Sequence, residues 1–302
     1  MITGLLLGFG AAFFQSCSYL FSKRYVAKFE KSTVGLLVAA HCIMGIFSLA
    51  LLPFFLPATM PPFSRYAIPL ICGVWSYLAA QACFFLSLKT TEASRVSPLL
   101  GLKIIILALI SILFLRQHFS VAQWGGICLS IVAACLLGLL GNRLNVRSWA
   151  WVLGACFFYS LSDICIKQLI TCFVNLGLLR ASVLSTCLSY VLAGLVSVAC
   201  MPLFPFRSFS RWRLAFPFAA FWYCGILLLF GCFGSVGVVF GNIVQSTRGV
   251  MSIAMGSYVA HKGYDHIEEK VPARILLMRI IAGLLMIGSI ALFYLGWPRP
   301  VN

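Results

Sequence analysis

The sequence predicts an all-α polytopic membrane protein of ten transmembrane helices, arranged as two inverted five-helix repeats. Three observations carry that expectation. Of its 302 residues, 62% are hydrophobic and only 9% charged, against roughly a quarter charged in an ordinary soluble domain. The apolar residues come in continuous runs near the ~20 residues an α-helix needs to cross a bilayer, not in the alternating segments of about ten that mark a barrel strand. The second half of the chain also repeats the first.

Each span follows from its run and its punctuation. Ile2–Phe21 has no basic region before it and no small-residue cleavage site after it, so it reads as a retained helix and not a secretory signal. Thr33–Leu56 and Ala67–Leu88 are separated by the proline-bearing stretch Pro57–Tyr66. Ser97–Leu115 and Trp124–Leu140 flank the polar Arg116-Gln117-His118. The second half supplies Trp149–Ile170, Leu179–Cys200, Ala215–Gly241, Val244–Ala260 and Ile275–Leu295, with His261–Arg274 as its polar loop. Gly231, Gly234, Gly237 and Gly241 predict a small-residue stripe along the eighth span, suited to close helix packing and to sliding or bending. Trp124, Trp149 and Trp297 lie at span edges, where indole rings anchor helices at the headgroups.

The repeat appears when the chain is slid against itself. Gly10-Ala11-Ala12-Phe13-Phe14-Gln15-Ser16-Cys17-Ser18 falls over Gly154-Ala155-Cys156-Phe157-Phe158-Tyr159-Ser160-Leu161-Ser162, and Lys23 over Lys167 at the same offset. With one or two residues of slippage Lys103 falls over Arg248 and Arg116 over Lys262. Residues 1–145 and 146–302 are therefore expected to be two five-span units. Five is odd, so the second is inverted relative to the first. Inverted repeats in one chain recur in secondary transporters, whose site lies between the halves near the bilayer midplane.

Composition narrows the function further. A net charge of +16 would suggest nucleic acid in a soluble protein, but the 22 Lys and Arg mostly punctuate hydrophobic runs, where they set topology and meet anionic lipid, so no nucleic-acid partner is expected. The thirteen cysteines are scattered singly, without a CxxC pair or a His at ligand spacing, and read as small buried apolar residues. No metal and no cofactor are expected. No paired acids, paired histidines or clustered nucleophile appear at helical spacing, so the chain is not expected to be an enzyme.

Ionisable groups inside spans cost roughly 2.5–3.5 kcal/mol each on insertion scales, and each needs an account. Lys103 lies about six residues into the fourth span, and either snorkels to the headgroups or enters the interior. Arg248 holds the matching place in the second half. Under an in-plane two-fold the two cations enter from opposite faces and converge on one cavity suited to a carboxylate or phosphate. Asp163, the one acid placed within a span, either pairs locally with Lys167 four residues on or acts as a proton-coupling carboxylate. His41 is a mid-span imidazole with no second His or acid nearby in sequence, best read as an interhelical hydrogen-bond partner, with catalysis or metal binding as the alternative. Gln15, Gln81 and Tyr159, with Ser16, Ser18 and Ser160, must face protein or water and not lipid. The candidate substrate site is therefore Lys103, Arg248, Gln15, Gln81, Tyr159 and His41, with Asp163 for proton coupling.

Ten spans in two repeats, a small and aromatic first span ending in Lys23, and the stretch from Gln81 through Ser94-Arg95-Val96-Ser97-Pro98 to Gln123-Trp124-Gly125-Gly126 together resemble the EamA-like branch of the drug/metabolite transporter superfamily. The resemblance spans nearly the whole chain. It departs at Arg116-Gln117-His118, where the family usually has an acid, and in the second half Glu268 and Glu269 come only after extra residues. The resemblance implies a multi-pass protein of a cell membrane, here the bacterial inner membrane. It would be a monomer or homodimer that moves a small-molecule substrate, with lipids and, where coupling exists, protons as partners. A lipid flippase or noncatalytic membrane protein is the alternative.

Loops after odd-numbered spans hold Lys23, Arg24, Lys28, Lys31, Lys89, Arg95, Arg143, Arg147, Arg207, Arg211, Arg213, Lys262, Lys270 and Arg274, whereas the opposite face holds only Arg65, Arg116, Lys167, Arg180 and Arg299. The positive-inside rule then leaves both termini outside, although the family more usually keeps them in the cytoplasm. A reporter active only in the cytoplasm, fused after Asn302, should stay dark. A bright signal would restore the family arrangement.

Overall fold

The computed structural model describes residues 1–29, 33–88, 99–138, 145–203, 209–261 and 273–296. Ser94–Pro98, Lys31, Lys89, Arg143, Arg207, Lys262, Lys270, Arg299, Glu268, Glu269 and Trp297 lie outside them, as do the side chains of Lys23 and Arg274. The described part of the first half is α1 (Ile2–Lys28), α2 (Thr33–Phe55), α3 (Phe63–Leu88), a 3-10 turn at Leu100–Leu102 leading into α4 (Lys103–Leu115), and α5 (Val121–Gly138). The second half is α6 (Val146–Cys172), α7 (Leu178–Cys200), α8 (Phe209–Val236), α9 (Val238–Ser246), α10 (Arg248–His261) and α11 (Ala273–Leu295). Six of these, α1, α2, α3, α6, α7 and α8, contain segments long and apolar enough to cross a membrane. The apolar parts of α4, α5 and α11 are shorter.

The protein is built apolar side out. Ile46, Phe54, Leu113, Phe114, Leu179, Leu195 and Leu284 are exposed on helices, while Gln15, His41, Gln81, Asp163, Asn242 and Gln245 are buried. In water this would be unstable; in hydrocarbon it is the arrangement that satisfies both sets.

Two of the differences from the expected span boundaries bear on the interior. The eighth span does not run to Gly241: α8 ends at Val236, and Gly237 turns the chain at φ +78°, a left-handed conformation that side chains with a Cβ resist. Apolar runs on either side of that turn make it invisible to hydropathy. Gly241 therefore belongs to α9, and the four-glycine stripe does not exist as one ridge. Gly231 faces Leu7 of α1, and Gly234 faces Leu178 and Ser182 of α7. The ninth span is interrupted at Thr247, whose N–H bonds Val244 O three residues back at 3.2 Å, a tightened turn between α9 and α10.

Packing between the halves is reciprocal. The first helix of one half packs on the third of the other in both directions, α1 on α8 and α6 on α3; the second helices α2 and α7 pair, and so do the fifth, α5 and α11. Both third helices carry a proline near their start, Pro69 and Pro217.

The α2–α7 crossing has the same reciprocity atom by atom. A Cβ on Gly45 would fall 3.0 Å from Gly194 Cα and 3.3 Å from Tyr190 O; one on Gly194 would fall 2.9 Å from Gly45 Cα and 3.3 Å from His41 O. Backbone meets backbone there, and neither helix can yield by turning a rotamer. Gly194→Leu should lower the unfolding free energy in detergent by about 1–3 kcal/mol, read from thermal unfolding. An unchanged midpoint would mean that the crossing is loose.

Candidate functional site

One serine bracket occurs twice in the interior. On α1, Ser16 Oγ lies 2.7 Å from Ala12 O and 3.1 Å from Arg248 O, at the start of α10. On α6, Ser160 Oγ lies 2.8 Å from Cys156 O and 3.1 Å from Lys103 O, at the start of α4. Ser16 and Ser160 are the residues the repeat superimposes, and each holds the helix that starts with an intramembrane cation.

Within these matched brackets the neighbours differ. Lys103 Nζ sits 3.1 Å from Asp163 Oδ2 and 5.5 Å from the centroid of the Tyr159 ring. Arg248 donates through NH1 to Gln15 Oε1 at 2.8 Å, and its guanidinium carbon lies 5.5 Å from the Tyr19 ring. Tyr159 thus stands where Gln15 stands in the other half, and Asp163 where Tyr19 stands. One cation is matched by a carboxylate, the other by an amide oxygen and a ring face. Among the described residues no carboxylate pairs with Arg248.

Helix α9 ties the two ends together. Asn242 Nδ2 donates to Asp163 Oδ2 and to Val238 O, both at 2.8 Å. Three residues on, and so on the same helical face, Gln245 Nε2 donates to Gln15 Oε1 at 2.9 Å. An aromatic belt makes a second link: Tyr159 lies against Tyr77 with centroids 6.3 Å apart, and Tyr77 against Tyr190 at 6.1 Å. Tyr190 OH accepts from Trp222 Nε1 at 3.3 Å, and Trp222 meets Tyr19 edge-on at 5.9 Å. The belt therefore runs from Lys103 to Arg248 without a break.

His41 and Gln81 meet on its flank. His41 Nδ1 lies 2.8 Å from Leu37 O, which only accepts, so this nitrogen carries hydrogen. Tyr77 OH receives Gln81 Nε2–H at 2.9 Å and lies 3.1 Å from His41 Nε2, to which it donates when the ring is neutral. His41 also stacks parallel to Tyr190, centroids 6.1 Å apart. The imidazole thus joins α2 to α3 and α7, the interhelical role its mid-span position suggested.

Several sequence expectations change. Asp163 does not pair with Lys167 four residues on; it takes Lys103 across the helix interface. Lys167 instead donates to Gly234 O at 3.0 Å and lines a shallow pocket with Gln117, Gln168 and Thr171. Nor does Lys103 snorkel: it is turned inward onto Asp163. The sequence reading missed Asn242, placed between spans by the misjudged end of α8, and the belt residues Tyr19, Tyr77, Tyr190 and Trp222, which look like ordinary aromatic content in apolar runs. Arg116 turns the chain after α4 at φ 50° and takes no part in the site. All thirteen cysteines are unpaired.

Residues 2–139 match the EamA-like transporter family. This agrees with the family the sequence resembled, and with an all-helical multi-pass membrane protein. The match covers a little under half of the chain, and the family it matches is one of transporters. No curated protein matches the chain. A solved crystal structure superposes with a TM-score of 0.67 at 17% identity, over 98% of this chain and 97% of that one, a likeness of fold alone.

Removing one partner of a buried ion pair strands the other charge, which typically costs about 3–5 kcal/mol. Asp163→Ala should therefore destabilise the protein by several kcal/mol in detergent, and adding Lys103→Met should recover most of the loss. A double variant no more stable than the single one would show that the two charges do not depend on each other.

Proposed function

We propose that the chain is a secondary transporter moving a small carboxylate- or phosphate-bearing metabolite, anionic or zwitterionic, by alternating access. In this reading residues 1–145 and 146–302 are two inverted five-helix repeats, as the reciprocal packing and the repeated serine bracket support. The single observation that carries the reading is Arg248: a guanidinium between the halves, matched in geometry to Lys103 but, among the described residues, lacking a carboxylate. A planar fork of donors in a low-dielectric interior is an anion grip.

Roles follow from position. Arg248 takes the anionic group, with Gln15 beside it; Lys103, already engaged by Asp163, sets the opposite end of the site. Tyr159, with the aromatic belt, flanks the body of the substrate, and Gln81 and His41 hold Tyr77 in place behind it. Asp163 is the coupling residue where protons drive transport: protonation would release Lys103, and Asn242 would carry the change to α9. The turns at Gly237 and Thr247 bound a nine-residue helix, α9, that touches both ends and is free to re-aim as the halves rock. The setting is a bacterial inner membrane, with lipid as the surrounding partner and a monomer or homodimer as the working unit.

Counterflow of labelled solute in proteoliposomes tests the reading, because it needs a site alternately open to each side. If fluorescent headgroups change leaflet and no solute exchanges, the protein is a lipid flippase gripping phosphate through the same arginine. Within the transporter reading, Arg248→Gln should weaken an anionic substrate far more than a neutral analogue; equal losses for both would remove Arg248 from the site. Transport by Asp163→Asn should lose its dependence on a pH gradient, and full retention would exclude Asp163 as the coupling group.

A further inference from the structure

Two buried amides in the site each leave one polar atom without a partner. Gln15 is 1% exposed and Asn242 2%. Among the described residues Gln15 Nε2 and Asn242 Oδ1 have no hydrogen-bond partner. Neither can be relieved by flipping the amide. Gln15 Oε1 receives an arginine N–H, so its nitrogen cannot take that place; Asn242 Nδ2 faces a carboxylate and a carbonyl, where an oxygen would be repelled. The end at Arg248 therefore has a spare donor beside a cation, and the end at Asp163 has a spare acceptor. An unmatched buried polar atom is destabilising, and two of them at the two ends of one site describe what a ligand must bring.

Charge adds a second condition. The interior holds Lys103 and Asp163, which cancel, and Arg248, which nothing among the described residues cancels. Lys167, one turn beyond Asp163, lies in its own shallow pocket and is held by Gly234 O. Counted over the described residues, the site thus carries one net positive charge. A dianion overshoots it, since Lys103 is already taken. A zwitterion leaves it unmatched.

Resting on the transporter reading, we infer that the substrate is a monoanion carrying a neutral hydrogen-bond donor away from its acidic group. The acid lies on Arg248 and Gln15 Nε2, the donor on Asn242 Oδ1, and an unsaturated or aromatic body lies between them along the belt of Tyr159, Tyr77, Trp222 and Tyr19. Gln245 and Asn242 are one helical turn apart on α9, so a compact molecule reaches both ends.

Four compounds with one frame separate the possibilities: para-hydroxyphenylacetate, a monoanion with a donor; phenylacetate, the same anion without it; para-aminomethylphenylacetate, a zwitterion; and para-phenylenediacetate, a dianion. Binding to the purified full-length protein in lipid nanodiscs is read by tryptophan fluorescence and thermal stabilisation. Para-hydroxyphenylacetate should bind tightest, about tenfold tighter than phenylacetate, the usual worth of one hydrogen bond. In Asn242→Ala that tenfold should vanish while phenylacetate still binds. Gln15→Glu, which gives Arg248 a carboxylate of its own and keeps the packing, should abolish binding of both. The inference is overturned if the zwitterion or dianion binds as well as the hydroxy acid, if the hydroxyl preference survives Asn242→Ala, or if none of the four binds the wild type. Binding in the predicted order without counterflow in proteoliposomes would defeat only the transporter reading; counterflow of a zwitterion or dianion in preference would defeat only this one.

Discussion

A charge placed where water cannot reach must be answered by the protein or by a ligand. Three described charged groups, Lys103, Asp163 and Arg248, are set by this requirement, and the interior is arranged around them. Asp163 holds Lys103 across the α4–α6 interface, and Asn242 holds Asp163 in turn. Arg248 receives an amide oxygen and a ring face. These are dipoles, weaker than a counter-ion, and on the proposed reading they leave that end of the site receptive to an anion. The same chemistry explains why the belt ends on ring faces: these stabilise cations without cancelling them, so Tyr159 steadies Lys103 and Tyr19 steadies Arg248.

The pseudo-symmetric scaffold makes this asymmetry useful. Duplicated halves would by default give two equal sites, and the serine bracket preserves that equality to within a tenth of an ångström in its longer contact, 3.1 Å on both sides. On the proposed reading, function enters by substitution on a duplicated frame, with Gln15 and Tyr19 in one half and Tyr159 and Asp163 in the other. The backbone contact of Gly45 with Gly194 and the pairing of α5 with α11 join like elements of the two halves. In the proposed alternating access, such contacts between equivalents are where one half would rock on the other without exchanging one set of neighbours for a different one.

Much of this was legible in the sequence, and the limits are physical. Continuous apolar runs fix a helical membrane protein because a backbone in the bilayer satisfies itself only as helix or closed barrel, and barrel strands would alternate. The duplication was legible because Ser16 and Ser160 sit in recognisable surroundings, and Lys103 and Arg248 stood out because charges are rare at depth. The partner of Asp163 was not legible. Lys167, four residues away, competes with every distant cation in a one-dimensional reading, and only folding shows that Lys103 arrives from another helix. Gly237 escaped because a left-handed turn between two apolar runs leaves no mark in hydropathy, and its loss took Asn242 out of the expected site. Tyr19, Tyr77, Tyr190 and Trp222 escaped because an aromatic residue in an apolar run has the same signature whether it faces a substrate, a helix or lipid.

The most direct test of the account is the structure of the protein in lipid nanodiscs by electron microscopy, with and without a bound monoanionic acid. The account predicts the acid's oxygens against the Arg248 guanidinium, between the two halves, with Lys103 still on Asp163 and the aromatic belt around the ligand. Lys103 and Arg248 found among lipid headgroups on the outer circumference, with the acid elsewhere or absent, would contradict it.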